Sequence, residues 1–310
     1  RYKNHSLKIL NILKKLRYEN IFVYCRNKKK IINKQKNINY TDKLEELLNC
    51  KIIFISSPSS THFFYIKKFI NKNRYIFCEK PAAITIDEIK YLKKLKNTAK
   101  ENIYFNFNYM KSDFYNAINK EMKNKYNGKL INVSIYATHG LFFKSNYKKN
   151  WRIQSKNIFE NITGNLGIHY INFLIHIFSK IKKITSFKSN FSKKGNDTAL
   201  ISLSALKGES ASIFLSYASV FSQEIKFFFT NSIIEFKNNK IFKYAPRDTF
   251  DKNGRFTNPK KKLLYKNIDL SVNSLNESIK YFMRVSLSKK KFDVNEYNKA
   301  LFSSEILLKK

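Results

Sequence analysis

The order of apolar and polar positions changes character about a third of the way along the chain. Before residue 110, short apolar runs alternate with segments of helical period. Leu7, Leu10 and Leu13 mark a helix over Asn4 to Lys15. Strands are expected at Asn20 to Tyr24, Ile52 to Ser56, Tyr75 to Cys78 and Ile103 to Asn108. Between them, Asp42 to Leu48 reads as a short helix with Thr41 at its N-cap. His62 to Asn71 reads as a helix with Phe63, Ile66 and Ile70 on one face. Thr85-Ile86-Asp87-Glu88 outlines a capping box, with Ile86, Ile89, Leu92 and Leu95 as the apolar stripe behind it. Strands alternating with helices imply an α/β fold with a parallel, doubly wound, Rossmann-like sheet.

Beyond residue 110 strands dominate. A helix over Asp113 to Lys123 leads to strands at Leu130 to Thr138, Ile181 to Lys188, Thr198 to Leu206, Ser210 to Val220 and Gln223 to Phe229. Shorter ones follow at Ser232 to Lys237 and Lys240 to Tyr244. Period-two alternation is clear over Ser212 to Tyr217, apart from the Phe214-Leu215 step, and connections are short. Both features imply a largely antiparallel, open sheet. Helices are expected at Gly167 to Ser179, Ser274 to Leu287 and Asn295 to Leu308, and a polar loop at Arg247 to Lys262. The pattern therefore divides into a dinucleotide-binding domain over residues 1–109 and an α+β domain over residues 110–310.

The first domain starts in mid-unit. A nucleotide-binding sheet opens with a strand, a glycine-rich turn and a helix, and its first strand is central in the order 3-2-1-4-5-6. Here the helix is present, but none of the seven glycines precedes Gly128. A central strand cannot be left out without separating its neighbours. The expectation is that about ten to fifteen residues, one strand plus its turn, stand ahead of residue 1.

A net charge of +38 raises the question of nucleic acid. Only 8 of the 60 basic residues are Arg, the residue suited to bidentate phosphate and base contacts. The lysines are spread along the whole chain and accompany many Asn and Ile, the signature of AT-rich coding. No nucleic-acid partner is expected; attraction of anionic substrates through the long-range field is compatible with the charge. No apolar run approaches the roughly 20 residues of a membrane helix, so no membrane partner is expected. Three cysteines, Cys25, Cys50 and Cys78, fit reduced thiols in a cytoplasmic protein. No metal is expected.

Candidate chemistry gathers at strand ends and at one helix start. Ser57-Pro58-Ser59-Ser60-Thr61-His62 joins a strand to a helix, where backbone N–H groups favour anions; a capped turn held by proline fits the same residues. Glu79-Lys80-Pro81 follows a buried strand, and the residue before a proline is held extended, so Lys80 projects from a stiff base. A desolvated lysine there exchanges protons; a solvated strand-end lysine is the alternative. Gly164-Asn165-Leu166-Gly167-Ile168-His169 opens a helix, with Asn165 and His169 four apart on one face. His169 suits acid/base work near neutral pH, or else packs in the core; His176 reads as packing, and His139 as a pocket residue at a strand end. Trp151-Arg152 can stack on a ring and clamp a carboxylate or phosphate, or anchor a loop. The first strand ends Tyr24-Cys25-Arg26, without the Asp or Glu that takes an NAD ribose hydroxyl. Arg26 with Lys28, Lys29 and Lys30 favours NADP(H) over NAD(H).

In this order and spacing, the S-P-x-x-x-H at 57–62, the E-K-P at 79–81, the W-R at 151–152 and the G-N-L-G-I-H at 164–169 resemble the Gfo/Idh/MocA family of NAD(P)-dependent sugar oxidoreductases. The resemblance spans nearly the whole chain. It implies an N-terminal Rossmann domain and a C-terminal domain whose sheet serves oligomerisation. It further implies Lys80 near nicotinamide and substrate, His169 as acid/base, Asn165 where the family has aspartate, and Arg152 near nicotinamide or substrate. On this reading Cys25, Arg26, Ser57, Pro58, His62, Glu79, Lys80 and Arg152 bind cofactor. Lys80, Trp151, Arg152, Asn165 and His169 contact a sugar, sugar nucleotide or cyclic polyol. Asparagine can hold a hydroxyl but cannot accept its proton. A family member with impaired catalysis, acting by binding, is the alternative.

Overall fold

A computed structural model of the chain describes residues 4–27, 34–70, 74–145, 158–159, 161–191, 195–245 and 250–308. Helix α1 (Asn4–Lys15) precedes strands β1 (Ile21–Tyr24), β2 (Ile38–Thr41) and β3 (Ile52–Ile55). Next come α2 (His62–Phe69), β4 (Tyr75–Glu79), α3 (Ile86–Lys94), the single turn α4 (Asn97–Lys100) and β5 (Ile103–Asn106). Helix α5 (Asp113–Lys123) and β6 (Leu130–Thr138) lead to α6 (Ile168–Ile177). Strands β7 (Ile181–Ser189), β8 (Thr198–Ala205), β9 (Ser210–Ser216) and β10 (Ser222–Phe229) follow. After β11 (Ile233–Lys237), β12 (Lys240–Tyr244) and β13 (Lys261–Tyr265), helices α7 (Ser274–Leu287) and α8 (Val294–Leu308) close the chain.

Two compact units result, Arg1–Asn108 with Leu275–Ser304, and Tyr109–Ser274 with Glu305–Lys310. In the first, β3, β4 and β5 pair in parallel, with Ile53 opposite Ile76 and Ile76 opposite Ile103. Ile76, Phe77 and Cys78 are consecutive and all buried, so both faces of β4 are covered, as parallel sheets require. β1 and β2 form a second parallel pair, and among the described residues no ladder joins the two sheets. The closing helices were expected with the second domain. Phe282 of α7 instead packs on Phe54 and Phe77, 5.2 and 5.3 Å between ring centres, and stacks on Phe292. Ile9 and Leu13 of α1 join that cluster. The helix expected at Asp42 to Leu48 is a tight 3₁₀ segment over Leu44–Asn49. The segment starts later than expected, so its N-cap position is Lys43; Thr41 ends β2 opposite Tyr24, with Oγ1 accepting from Lys43 N–H at 3.0 Å. The capping box at Thr85 is present: Glu88 N–H donates to Thr85 Oγ1, and Thr85 N–H to Glu88 Oε2.

The second unit is an eight-stranded sheet in the order β13-β12-β11-β10-β6-β9-β8-β7. Every pair is antiparallel except β6 with β9. Alternation puts Val133, Ile135, Ile213, Leu215, Ile225 and Phe227 in the buried face. Phe114 of α5 lies 4.8 Å from Phe236, and Phe173 of α6 lies 6.0 Å from Phe227, so both helices cover the sheet. β9 stops at Ser216, short of the expected Val220, because Ser216 Oγ accepts from the N–H groups of Ala218 and Ser219 and turns the chain. β13 lies partly inside the expected loop. It is an edge strand whose first residues are exposed lysines, which hides its pattern and protects the edge from further pairing.

Candidate active site

The carboxyl ends of the parallel strands carry the first set of polar groups. Ser57 and Pro58 follow β3; Thr61 Oγ1 donates to Pro58 O and lies within hydrogen-bond distance of Ser57 Oγ, both 2.7 Å. His62, at the first position of α2, is buried at 1% exposure. Its Nδ1 lies 3.0 Å from Pro81 O and its Nε2 3.0 Å from Ser57 O. A neutral ring donates to one of these oxygens; only an imidazolium donates to both. Burial opposes the charge and outweighs the two carbonyls, so its pKa is lowered. His62 thus ties the turn after β3 to the turn after β4. Its ring nitrogens are spent on the protein's own backbone, not turned toward a ligand as the sequence suggested.

Lys80 is half-buried, and the Lys80-Pro81 peptide bond is cis. Glu79, also expected at the cofactor, accepts at Oε1 from Asn106 Nδ2 and pairs with His5 Nε2, both at 2.7 Å. Burial pushes its carboxyl up, but these partners and the charge of Lys80 prevail and hold it below the usual value. Arg26 is exposed at the end of β1, while Cys25 donates its N–H to Thr41 O and its thiol to Asn27 O. Lys28 to Lys30, Trp151 and Arg152 lie outside the described residues.

In the second unit the helix bearing His169 starts as a π-turn over Thr163–Gly167. Such widened turns recur at functional sites. Asn161 Oδ1 starts it by accepting from the N–H groups of Thr163 and Gly164. A Cβ on Gly164 would stand 2.3 Å from Ile158 O and 2.3 Å from Phe159 Cα; one on Gly167 would stand 2.8 Å from Leu215 Cδ1. The two glycines therefore let the turn close against its own loop and against β9. The widened turn also replaces the regular i, i+4 face expected of Asn165 and His169. Asn165 Nδ2 donates to Tyr217 OH at 3.0 Å, whereas His169 stacks on Tyr109 with ring centres 4.5 Å apart and planes at 21°. Tyr109 also meets Tyr170, whose hydroxyl accepts from Gln223 Nε2 at 3.2 Å. Burial pushes both phenols up, Tyr170 to about 12, so they act as neutral hydrogen-bonding groups. His139 is exposed at the end of β6, its ring 4.5 Å from that of Tyr217. His176 turns Nδ1 to Asn172 O within its own helix.

Lys80 belongs to the first unit and His169 to the second. The sequence reading missed Tyr109, Tyr170, Tyr217, Gln223 and His5, whose partners are all distant along the chain. The donor set at the strand ends suits a dinucleotide. Arg26 can meet a ribose phosphate, and the strand-end turns lie where doubly wound sheets bind nucleotides. No glycine precedes Gly128, so residues 1–127 hold no glycine-rich phosphate turn. Among the described residues no group of His, Cys, Asp or Glu is arranged to hold a metal, and no helix is long and apolar enough to cross a membrane.

Residues 3–107 match the family model for the oxidoreductase family, NAD-binding Rossmann fold. Residues 115–235 match the model for the GFO/IDH/MocA C-terminal domain. A glucose-6-phosphate 3-dehydrogenase of Bacillus subtilis is 24% identical over 145 residues, 44% of this chain and 39% of that protein. The chain thus matches about two fifths of the length of the curated relatives it resembles. The structure of a putative NADPH-dependent oxidoreductase from Desulfitobacterium hafniense superposes with a TM-score of 0.77 at 14% identity, covering 100% of this chain and 93% of that one. A myo-inositol dehydrogenase from Corynebacterium glutamicum gives 0.71 at 18% identity, covering 96% and 89%.

Proposed function

Because the chain belongs to the Gfo/Idh/MocA oxidoreductase family, we propose that it transfers a hydride between a nicotinamide dinucleotide and an alcohol carbon of a sugar, sugar nucleotide or cyclic polyol. The relatives named for glucose 6-phosphate and myo-inositol support that substrate class. The observation that carries the reading is the half-buried imidazole of His169, stacked on Tyr109 at the G-N-L-G-I-H helix start. A bound nicotinamide supplies or takes up the hydride. The alcohol proton is left to this chain. His169 takes it from the substrate oxygen, or returns it, and Lys80 Nζ donates a hydrogen bond to that oxygen. Asn165, with its amide nitrogen on Tyr217 OH, presents Oδ1 to a neighbouring substrate hydroxyl. Arg26 favours NADP(H), Ser57 and Pro58 shape the nucleotide turn, and Trp151 and Arg152 clamp the substrate. The protein works in the cytoplasm, and the outer face of the second unit's sheet joins copies.

The test is turnover of a sugar and polyol panel with NADPH and NADH. His169→Ala and Lys80→Ala should each lower kcat by about 10²–10⁴-fold. Wild-type rates in both variants remove the role assignment. Asn165 supports the second reading, a family member that binds without turning over. A large gain of turnover in Asn165→Asp is the outcome that favours it.

A further inference from the structure

The ring beneath His169 is held at both ends. Tyr109 stands in a single 3₁₀ turn, Asn108–Lys111, and its carbonyl accepts from Ser112 Oγ at 2.6 Å and from Ser112 N–H at 3.2 Å, which fixes its backbone. Its far end meets Tyr170: the ring centres lie 5.6 Å apart with planes at 71°, and the two phenols are hydrogen-bonded to each other. Gln223 Nε2 then donates to Tyr170 OH at 3.2 Å. Gln223 lies on β10 opposite Ala137 of β6, so the sheet sets its position. Tyr109 and Tyr170 are both buried, so little water can replace a lost partner. The stack itself puts the phenol ring against a face of the imidazole, with centres 4.5 Å apart and planes at 21°. The N–H bond and the lone pair of an imidazole lie in the plane of its ring. A neighbour on the face therefore fixes the tilt of the ring without standing across either nitrogen, whereas a ring packed on the edge would cover one.

We propose that Gln223 is a positioning residue for His169: by holding the Tyr170 hydroxyl it keeps Tyr109 flat against the imidazole, which fixes the direction in which the ring nitrogens point. Tyr170 follows His169 on the same helix and moves with it. Gln223 is the link that ties the two phenols to the sheet. A tyrosine ring turns about two side-chain bonds, and the hydroxyl is the one polar handle that can stop it. Both phenols stay neutral, because burial pushes them up and the charge of Asp269 further opposes ionisation of Tyr109. The tie therefore consists of ordinary hydrogen bonds that one missing oxygen breaks. The use of the aimed ring in proton transfer rests on the reading of His169 given above; the placement of the ring does not.

The test is NMR of the whole protein carrying isotope-labelled histidine. The His169 Hε1 signal, identified by its loss in His169→Gln, is shifted by the ring current of Tyr109. Tyr170→Phe keeps both rings and removes the oxygen between them. It should move that signal toward the unstacked position. Turnover should fall about tenfold in kcat with KM within about twofold of wild type, less than the roughly hundredfold that a 1 Å misplacement can cost. Gln223→Leu should move the signal in the same direction, while Gln223→Glu, whose carboxylate accepts from the Tyr170 hydroxyl, should restore it. An unmoved His169 signal in either Tyr170→Phe or Gln223→Leu overturns the proposal. So does a signal that moves as far in Gln223→Glu as in Gln223→Leu. If Tyr170→Phe does not melt like wild type, Tyr109→Phe, which removes the other oxygen of the same bond, takes its place. A moved signal in a protein without turnover keeps the ring placement and rejects the acid/base reading. An unmoved signal in an active enzyme does the reverse.

Discussion

The turn after β4 and the widened turn that opens α6 each lead to a candidate site residue, Lys80 and His169, but they hold it by different means. Lys80 stands on a backbone fixed by neighbours: His62 bridges Pro81 O and Ser57 O, and Pro81 and Ala82 are buried. The lysine itself is set by where its strand ends. His169 sits on a helix and is set by a ring that arrives from elsewhere, Tyr109 from the segment after β5; Tyr109 in turn meets Tyr170 of the same helix, whose hydroxyl is held by Gln223 of β10. Strand-end chemistry is thus written locally, while helix-face chemistry depends on packing between segments far apart in sequence. Substitutions that remove backbone space should hurt the second turn most. Substitutions that remove a hydrogen bond should show the first turn's dependence on His62.

Gly164→Ala is expected to have the largest effect. Its new methyl would meet main-chain atoms at 2.3 Å, and neither the oxygen of Ile158 nor the Cα of Phe159 is the tip of a mobile side chain. A cost of about 4 kcal/mol or more is expected, a large fraction of the roughly 5–15 kcal/mol that keeps a protein folded. Gly167→Ala meets only Leu215 Cδ1 at 2.8 Å and Ile201 Cδ1 at 3.3 Å, both able to shift, and should cost about 1–3 kcal/mol. Urea denaturation of the pair checks this. Equal midpoints would show that the π-turn is not held by its backbone approach.

His62→Ala should come next, at about 3 kcal/mol, because it leaves a void and removes the hydrogen bond that the neutral ring donates to one of the two carbonyls. Its pH dependence has a definite sign. Burial lowers the folded-state pKa below the ordinary histidine value of 6.5, so as pH falls through 6.5 the unfolded chain takes up a proton that the folded chain refuses. Wild type should lose stability between 6.5 and that lower pKa, and His62→Ala should lack this limb. His5 works the other way. Its folded pKa is raised, so its contribution is full below 6.5 and is lost as pH rises through the folded value. Melting curves of wild type and both variants at pH 5.5 and 8 separate the two histidines.

The difference between the turns also explains what could be seen in the sequence. β3, α2 and β4 were legible because each is a local apolar pattern ended by a polar turn. β2 was not, because Ile38–Thr41 earns its strand geometry only by pairing with β1. β13 was hidden by its lysines. The motif around His169 was legible as a helix start, since Gly164 and Gly167 punctuate it. Its π-turn was not, because a widened turn follows from the closeness of residues 158 and 159, which no spacing reveals. Tyr109 had no signal at all: a tyrosine in a chain with 19 of them gains meaning only from the imidazole beneath it.

Tyr217→Phe tests the second turn more gently. The variant keeps the buried ring and removes the oxygen that accepts from Asn165 Nδ2. A loss of about 1–1.5 kcal/mol is expected, with kcat reduced more than stability suggests, because Asn165 loses its fixed amide direction. Stability and kcat both unchanged would mean that Tyr217 does not orient Asn165.

Thr85→Ala gives the smallest effect and the cleanest control for the first unit. Its hydroxyl accepts from Glu88 N–H, and Glu88 returns bonds to the N–H groups of Ile84 and Thr85, 2.7 and 3.3 Å. Both side chains stand at the start of α3, and Thr85 is exposed. Loss of one cap bond there should cost about 1 kcal/mol. Ala82 and Ala83, fully buried, separate this cap from the Lys80-Pro81 turn. If the turn is fixed by its own neighbours, Thr85→Ala should lower the urea midpoint slightly and leave the labelling of Lys80 by acetic anhydride, read by mass spectrometry, untouched. A change in Lys80 labelling would mean that the turn draws its order from the helix behind it, and the contrast between a locally fixed turn and a packing-fixed one would dissolve.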